Sequence, residues 1–266
     1  MVLQQSLSSL NPNGCSGSNL IRDAIVTPLF LVSSALHTRF GVFTLEQRIN
    51  QTANTLASIK HAFPSARIVL SESSGGGEIT QEELAGLPYL DEVIIHSNNP
   101  EIVSIHDEID REDIVKNKTE LLATIKALEY LAGGRLIRGC DRVFKLSGRY
   151  VICNDFPRLN DYDDERLSQA IVISQARSSH LDSYLTDSQA FQYMCRCWSF
   201  PCFMIEEVRG MYVKMYLKFV EFNKQSKYLD LEHLLYIFLN GRSDVVEVPF
   251  LGVMGALGSS GEHVID

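Results

Sequence analysis

The sequence predicts an α/β protein built on one mixed, mostly parallel sheet that is flanked by helices. The first half of the chain alternates apolar, strand-like runs with amphipathic helical runs, which is the order of a parallel sheet with helical crossovers. The 266 residues are 45% hydrophobic and 21% charged, as in an ordinary globular protein. Because no internal repeat or long linker divides the chain, we expect a single Rossmann-like domain.

The elements of the first half are predicted from their apolar spacing and their start signals. Thr44 and Gln47 have the spacing of a capping box, and so do Thr80 and Glu83, so a helix is expected to begin after each threonine. The predicted strands of this half are 25–34, 67–71, 91–96 and 142–150, and the predicted helices are 45–61, a short one from 81 and 117–132.

The second half of the chain has a less regular pattern. Its predicted strands are 170–174, 193–205 with an interruption near Pro201, and 244–249. Its predicted helices are 206–222 and 231–239. This arrangement adds strands of either direction to a parallel sheet, so we expect the whole sheet to be mixed.

The composition indicates which partners are disfavoured and where in the cell we expect the protein. A formal net charge of -9 disfavours nucleic acid and membrane surfaces as partners. The six cysteines are expected to be reduced, because the cluster at 195–202 lacks a zinc-site spacing. The longest apolar runs are too short for a membrane span. Residues 1–24 do not resemble a secretory signal, so we expect a flexible tail there and a cytoplasmic protein.

The fourth predicted strand ends in a segment that suits an anionic ligand. It contains Lys145 and finishes in Ser147, Gly148, Arg149 and Tyr150. In open α/β sheets, ligands bind outside the carboxyl ends of the strands. Lysine and arginine there match the charge of a phosphate, and glycine lets a ligand approach the backbone. We therefore predict that these residues bind a phosphate-bearing ligand.

Polar residues near two other strand ends extend this predicted site. Ser33 and Ser34 end the first strand, and Arg48 lies one turn into the following helix. Glu72 follows the second strand, where a carboxylate suits the donors of a ribose or base. Lys118 is in the first predicted turn of a helix, where N–H groups favour anions. No Walker A or Gly-x-Gly-x-x-Gly sequence follows the first strand, which disfavours a P-loop NTPase or an ordinary dehydrogenase.

Four segments of the chain have a characteristic order. They are 30–34 with 46–48, 68–72, 144–150, and 251–255 continuing to His263. Taken together, they resemble the GT-A-type nucleotide-sugar glycosyltransferases, and the likeness is closest to small glycosyltransferase-like proteins of large DNA viruses, algae and bacteria. It covers most of 25–266 and implies a GT-A-like domain there, with a nucleotide-binding half at 25–150 and an acceptor-binding half at 151–266. A viral member would work in the host cytoplasm.

The chain departs from the GT-A pattern at the metal site. In that family an Asp-x-Asp motif usually follows the fourth core strand and holds a divalent metal on the donor diphosphate. Here Ser147-Gly148-Arg149 stands in its place. Without the metal the departing diphosphate needs other positive charge, which Arg149, Lys145 or Lys118 could supply. Manganese or magnesium stays possible through Asp155 and His263, and His263 also resembles a late histidine directed at the diphosphate.

The resemblance implies transfer of a sugar from a nucleoside-diphosphate donor, expected to be a UDP-sugar, to a glycan hydroxyl. Transfer with inversion needs a carboxylate base, for which Glu232 is the first candidate. Asp230 is either an acceptor contact or a helix N-cap. Trp198 stacks on the acceptor or packs in the core. Ser33, Arg48 and Glu72 would hold the nucleoside.

Two other functions stay open. A sugar-phosphate nucleotidyltransferase shares the sheet order but needs a glycine-rich loop with arginine and lysine after the first strand. Residues 33–41 contain one glycine and no lysine, which disfavours it. A non-catalytic protein that binds a nucleotide sugar or glycan would keep the same strands.

Overall fold

The computed structural model of the protein describes residues 27–75, 77–153, 156 and 165–266. The predicted tail over 1–24 lies outside the described residues, and so does Asp155, one of the two predicted metal ligands.

The strands and helices follow the predicted alternation. The strands are β1 (Pro28–Ser34), β2 (Arg67–Glu72), β3 (Glu92–Ile95), β4 (Arg142–Ser147), β5 (Tyr150–Ile152), β6 (Ile171–Ser174), β7 (Arg177–Ser178), β8 (Phe191–Gln192), β9 (Cys197–Pro201), β10 (Val245–Val248), β11 (Val253–Ala256) and β12 (His263–Ile265). The helices are α1 (Leu45–Ala62), α2 (Gln81–Ala85), α3 (Pro100–Glu108), α4 (Glu112–Gly133), α5 (Glu165–Ser168), α6 (Ile205–Lys224) and α7 (Leu231–Leu239), and a 3₁₀ turn covers Cys202–Met204.

A seven-stranded sheet in the order β10-β6-β9-β4-β1-β2-β3 forms the centre of the domain. Among its described strands, β9 runs antiparallel to its neighbours β4 and β6, and the other neighbouring pairs are parallel. The prediction of a single α/β domain with a mixed, mostly parallel sheet is therefore confirmed. A smaller sheet, β12-β11-β5, continues from the end of β4, and β7 pairs with β8 in a hairpin.

Both faces of the large sheet are buried, as β1 shows. Leu29 and Leu31 pack into one apolar cluster with α4, α6 and α7, while Phe30 and Val32 pack into the opposite cluster with α1. Successive side chains of a strand point to opposite faces, so only a continuous apolar run can fill both clusters. Phe30 also stacks on Phe144 of β4, with ring centroids 4.8 Å apart.

Both predicted capping boxes are present. Thr44 Oγ1 accepts the N–H of Gln47 at 3.3 Å, and the N–H of Thr44 donates to Gln47 Oε1 at 2.8 Å. Thr80 and Glu83 make the same reciprocal pair at the start of α2. These bonds satisfy donors that the first turn of a helix leaves without intrahelical partners, which explains why both helices begin where predicted.

Several assignments differ from the prediction. The prediction missed α3, although Asn99 caps it and Pro100 opens it, and α4 begins at Glu112 rather than 117. The strand predicted over 142–150 splits into β4 and β5, which belong to different sheets. The strand predicted over 193–205 is reduced to β9, because the chain turns through a 3₁₀ turn into α6. The terminal glycine-rich segment contains β11 and β12, which the prediction also missed.

Candidate functional site

A solvent-open cleft lies at the carboxyl ends of β1, β2 and β4. The strand register pairs Ser33 of β1 with Ser71 of β2 and with Ser147 of β4. All three serines line the cleft, and Ser34 lines it beside them. The parallel order of the strands thus forms a row of small hydroxyl side chains at the point where ligands bind in open α/β sheets.

One face of α4 forms a wall of the cleft. Glu112, Lys116 and Glu120 line it at intervals of four residues, and Thr119 and Ala123 lie between and beyond them. Residues three and four apart share a face of a helix, so this wall follows directly from the helical repeat. Lys118 is not among the lining residues, because two positions from Lys116 the helix has turned by more than half a circle. The cation that was predicted at Lys118 is therefore supplied by Lys116.

The cleft has more positive than negative charge, although the whole chain has a net charge of -9. Its lining contains the cations Arg48, Lys116 and Arg149 and the carboxylates Glu112 and Glu120. Local enrichment of this kind attracts an anion that the rest of the surface repels.

Arg149 follows β4 and lines the cleft with a half-buried side chain. Its Nε is buried and has no hydrogen-bond partner among the described residues. Gly258 packs against it, and a Cβ at that glycine would lie 3.2 Å from the guanidinium carbon. A buried guanidinium nitrogen without an acceptor is costly, so an anion bound there would be stabilised.

Arg48 also lines the cleft, but its guanidinium is already hydrogen-bonded within the protein. Its three nitrogens donate to carbonyl oxygens at 3.2 Å each, and the acceptors are Phe43, Ala35 and Phe40. Burial, followed by the charge of Arg149, lowers the pKa of Arg48. We expected Arg48 to contact the nucleoside. Its hydrogen bonds instead hold the loop over 35–43 in place. Its positive charge still contributes to the electrostatic potential of the cleft.

Glu72 cannot contact a ligand as predicted. Its side chain is fully buried, and Oε1 accepts hydrogen bonds from the N–H of Leu36, the N–H of Ser74 and the hydroxyl of Ser74 at 3.1, 2.8 and 2.5 Å. The carboxylate therefore holds the two loops that follow β1 and β2. A carboxylate at a strand end can accept hydrogen bonds either from a ligand or from the protein backbone. Here it accepts them from the backbone and side chain of the neighbouring loops.

Lys145 is likewise not available to a diphosphate. It is 2% exposed, and its Nζ lies 2.5 Å from Glu120 Oε1 and 2.9 Å from Ser33 Oγ. Burial would raise the pKa of Glu120, but the charge and hydrogen bond of Lys145, together with the charges of Lys116 and Arg149, lower that pKa. The pair thus fixes an ionised carboxylate, 25% exposed, in the wall of the cleft.

Gly148 and Tyr150 have packing roles rather than the predicted ligand contacts. The N–H of Gly148 donates to Ser33 O at 2.8 Å, and a Cβ at Gly148 would lie 3.0 Å from that oxygen. Glycine is therefore required because the two strand ends approach closely. Tyr150 is 2% exposed, and the guanidinium of Arg196 lies 5.7 Å from its ring centre. Neither residue is among those that line the cleft.

Glu232, the predicted base, lies beside the end of β4 but does not line the cleft. Its Oε1 accepts the thiol hydrogen of Cys195 at 2.9 Å, and the carbonyl of the next residue, Arg196, accepts the N–H of Ser147 at 2.9 Å. Burial, followed by the charge of Asp230, raises the pKa of Glu232. The structure therefore places a carboxyl group of raised pKa near the end of β4, outside the set of residues that line the cleft.

The two predicted acceptor contacts have structural roles. Asp230 is the N-cap of α7, since its Oδ1 accepts the N–H of His233 at 3.0 Å. Trp198 is 1% exposed and stacks on Tyr212 in the core, with ring centroids 6.1 Å apart. A side chain so deeply buried cannot stack on a sugar without displacement of its neighbours, so the stacking prediction for Trp198 is corrected to core packing.

The described residues contain no group of three or more His, Cys, Asp or Glu side chains arranged to hold a metal ion. The segment 147–149, which stands where a carboxylate pair would be expected, has none. His263 is exposed on β12, paired with Ala256, and is not among the residues that line the cleft.

Four titratable residues that line the cleft were not predicted from the sequence, namely His106, Glu112, Lys116 and Glu120. His106 is 7% exposed, and burial, followed by the charge of Arg39, lowers its pKa. Glu112 and Lys116 precede the predicted helix start at 117. Extension of the helix toward its N-terminus places both of them on one face with Glu120.

The fold and the cleft place the protein among those with a GT-A-type fold, in which a site lies at the carboxyl ends of a mixed sheet. The structure is similar to that of the galactosyltransferase LgtC in complex with donor and acceptor sugar analogues. The two chains are 12% identical, the match covers 83% of this chain and 73% of that chain, and the TM-score is 0.50.

Two further structures match less well. An active-site mutant of LgtC is 13% identical over 83% of this chain and 72% of that chain, with a TM-score of 0.48. Mouse xyloside xylosyltransferase 1, in its apo form, is 9% identical over 84% of each chain, with a TM-score of 0.46. No protein-family profile matches the chain, and no curated protein matches its sequence. None of the described helices is both long and apolar enough to cross a membrane.

Proposed function

We propose that the protein is a glycosyltransferase that binds a nucleoside-diphosphate sugar in the cleft and transfers the sugar to a glycan hydroxyl. The donor we propose is a UDP-sugar. The observation that carries the proposal is Arg149, a partly buried cation at the carboxyl end of β4 whose Nε has no partner among the described residues. The LgtC structure, which holds donor and acceptor sugar analogues, has a similar fold.

Arg149 is proposed to bind the diphosphate. Arginine pairs with phosphate oxygens through two parallel hydrogen bonds, and such charge-assisted bonds are stronger than neutral ones. Arg48 and Lys116 line the same cleft and add positive charge. When the sugar–oxygen bond breaks, negative charge develops on the leaving diphosphate, and cations fixed in advance stabilise that charge.

Glu232 is proposed as the base. The acceptor oxygen forms a bond to the anomeric carbon, the bond from that carbon to the diphosphate oxygen breaks, and the acceptor proton goes to Glu232. A raised pKa makes the ionised carboxylate a stronger base, which favours this transfer. Glu120 is proposed to stay ionised in the cleft and to accept hydrogen bonds from sugar hydroxyls, because Lys145 lowers its pKa.

The central experiment compares Arg149→Ala with Arg209→Ala. Arg209 is a surface arginine of α6 that pairs with Glu206 at 2.8 Å, outside the cleft. We expect Arg149→Ala to abolish donor turnover while its melting temperature stays close to that of the native protein, and Arg209→Ala to keep full turnover. Full turnover in Arg149→Ala would contradict the proposed site.

A thermal-shift series with nucleotide sugars, with and without manganese, tests donor binding directly. A ligand that binds only the native state raises the melting temperature, and the stabilisation grows with the logarithm of its concentration relative to its Kd. We expect a UDP-sugar to raise it in the native protein and much less in Arg149→Ala. Donor binding without transfer or donor hydrolysis would define a binding protein instead, and no shift with any nucleotide or nucleotide sugar would count against the proposal.

A further inference from the structure

Three side chains at the start of α7 form a hydrogen-bonded chain outside the cleft. Ser179 Oγ lies 2.8 Å from His233 Nε2, and His233 Nδ1 lies 2.5 Å from Asp230 Oδ1. His233 is fully buried, Asp230 is 6% exposed and Ser179 is half-buried. None of the three lines the cleft. This is a nucleophile, a base and a carboxylate in the order of a serine hydrolase triad.

The local structure fixes both bonds of His233. Asp230 Oδ1 also accepts the backbone N–H of His233 at 3.0 Å, so the carboxylate is held by the helix start that it caps. A carboxylate accepts hydrogen bonds only, so Nδ1 carries a proton, and in the neutral imidazole Nε2 then carries the lone pair. That tautomer can take the hydroxyl proton of Ser179, which is the role of the base in such a triad.

We propose that Ser179 is an activated nucleophile and that the protein hydrolyses short-chain carboxylic esters at this second site. The triad is recognised by its geometry and roles and recurs on unrelated folds. The proposal does not depend on glycosyl transfer, because it uses none of the residues assigned to the cleft.

The surroundings of Ser179 determine where its proton goes. The N–H of Leu181 donates to Ser179 Oγ at 3.0 Å, and the carbonyl of Leu181 lies 3.1 Å from that oxygen. The hydroxyl has one proton and two acceptors, and His233 Nε2 is the nearer of them at 2.8 Å. The geometry therefore favours the bond to histidine, and the N–H of Leu181 orients the oxygen without taking its proton.

His180 provides a donor for the developing oxyanion. Its backbone N–H has no hydrogen-bond partner among the described residues. In the nucleophile elbow of serine hydrolases, the N–H of the residue after the nucleophile binds the oxyanion. The side chain of His180 is 60% exposed, so the segment that follows Ser179 is open to solvent on one side.

The reaction is an ordinary two-step hydrolysis. Ser179 Oγ attacks the ester carbonyl, its proton passes to His233 Nε2, and the alcohol leaves with that proton as the acyl–serine ester forms. Water then attacks the acyl–serine carbonyl, giving one proton to His233. The carboxylic acid is released as Ser179 regains its hydroxyl proton.

An aromatic pair on β8 and α7 suits the apolar part of such an ester. Phe191 pairs with Ser178 in the β7–β8 hairpin and is 46% exposed. Its ring stacks on the half-buried Tyr236 of α7, with centroids 5.7 Å apart. Tyr236 lies three residues beyond His233 and therefore on the same face of α7 as the base, which favours aryl esters such as p-nitrophenyl acetate as probes.

The test uses the full chain, p-nitrophenyl acetate and a fluorophosphonate that phosphonylates activated serines. We expect time-dependent release of p-nitrophenol and a single phosphonylated peptide that contains Ser179. Ser179→Ala should lose the label and at least about 100-fold in rate, whereas Ser178→Ala, a change to its exposed neighbour, should keep both.

The variant Asp230→Asn tests the role of the carboxylate in activating Ser179 while it keeps the helix cap. Asparagine caps a helix as well as aspartate does, so the fold should be retained, while loss of the carboxylate removes the tautomer that the base needs. We expect this variant to be labelled at least about 100-fold more slowly at an unchanged melting temperature. A native protein that is not labelled at Ser179, or equal rates in native and Ser179→Ala protein, would overturn the proposal and leave the chain of bonds as a structural tie between the hairpin and α7.

Discussion

Removal of the Lys145 ammonium should lower the stability of the protein, because this group is paired with Glu120 in the wall of the cleft. In Lys145→Met the stem of the side chain still fills its place, but Glu120 loses the cation 2.5 Å from its Oε1. Loss of one partner of a buried ion pair costs about 3–5 kcal/mol, because it leaves an uncompensated charge. Since Glu120 is 25% exposed and water can partly solvate it, we expect about 2–4 kcal/mol.

Urea denaturation at neutral pH measures this change. The matched control is Lys126→Met, a lysine on α4, the helix that carries Glu120. Lys126 pairs with Glu101 at 3.1 Å, but the two side chains are 30% and 65% exposed. Such a surface pair contributes less than about 1 kcal/mol. The double variant Lys145→Met/Glu120→Gln should recover at least about 1.5 kcal/mol relative to the sum of the single changes, since the groups are in direct contact.

The pH dependence of the free energy of unfolding shows whether the ionised form of Glu120 stabilises the native protein. In the native protein the pKa of Glu120 is lowered, so its contribution to stability is present above its unfolded pKa and is lost as the pH falls through the folded pKa. In Lys145→Met burial is opposed only by the charges of Lys116 and Arg149, so the pKa of Glu120 is higher than in the native protein. The cost is therefore largest at neutral pH and shrinks as the carboxyl is protonated. A loss below about 1 kcal/mol at pH 7, or additive single and double variants, would refute the reasoning.

Three further outcomes are expected from urea denaturation. Trp198→Ala should cost about 3–5 kcal/mol through an internal cavity, and a cost near zero would contradict its core position. Gly255→Ala should cost at least about 1–3 kcal/mol, because its Cβ would lie 2.2 Å from Arg149 O, whereas Gly210→Ala, with no atom within 4 Å, should be neutral or stabilising. Burial lowers the pKa of His96 from 6.5 to about 4, so the unfolded chain binds more protons between these values. Stability should therefore fall by about 2 kcal/mol between pH 7 and pH 5, and His96→Gln should lack this component.

The sheet could be predicted because its signals are local. The apolar run of β1 fills two clusters at once, and the capping boxes at Thr44 and Thr80 mark helix starts independently of tertiary contacts. The helix α3 was not predicted because it has only nine residues, too few for a clear apolar repeat. Asn99 and Pro100 nevertheless signal its start.

The polar residues at the strand ends were harder to assign. Glu72 and Lys145 have the chemistry of ligand contacts, but each is satisfied by a segment far away in the sequence, at Leu36 and Glu120. Whether a strand-end charge faces a ligand or its own chain depends on which loop or helix packs over it. No local pattern contains that information. Arg149 was predicted more readily, because the glycine before it and the end of β4 are both visible in the sequence.

Arg149 also lies in the segment that connects the two sheets. Gly148 and Arg149 are the two residues between β4, which belongs to the large sheet, and β5, which belongs to the small one. The carbonyl of Arg149 packs against Gly255 of β11, and its guanidinium packs against Gly258. An anion bound to this side chain would therefore link the motions of the two sheets. Amide hydrogens of β11 and β12 should exchange more slowly when the cleft is filled, so solvent exchange at these strands would report ligand occupancy.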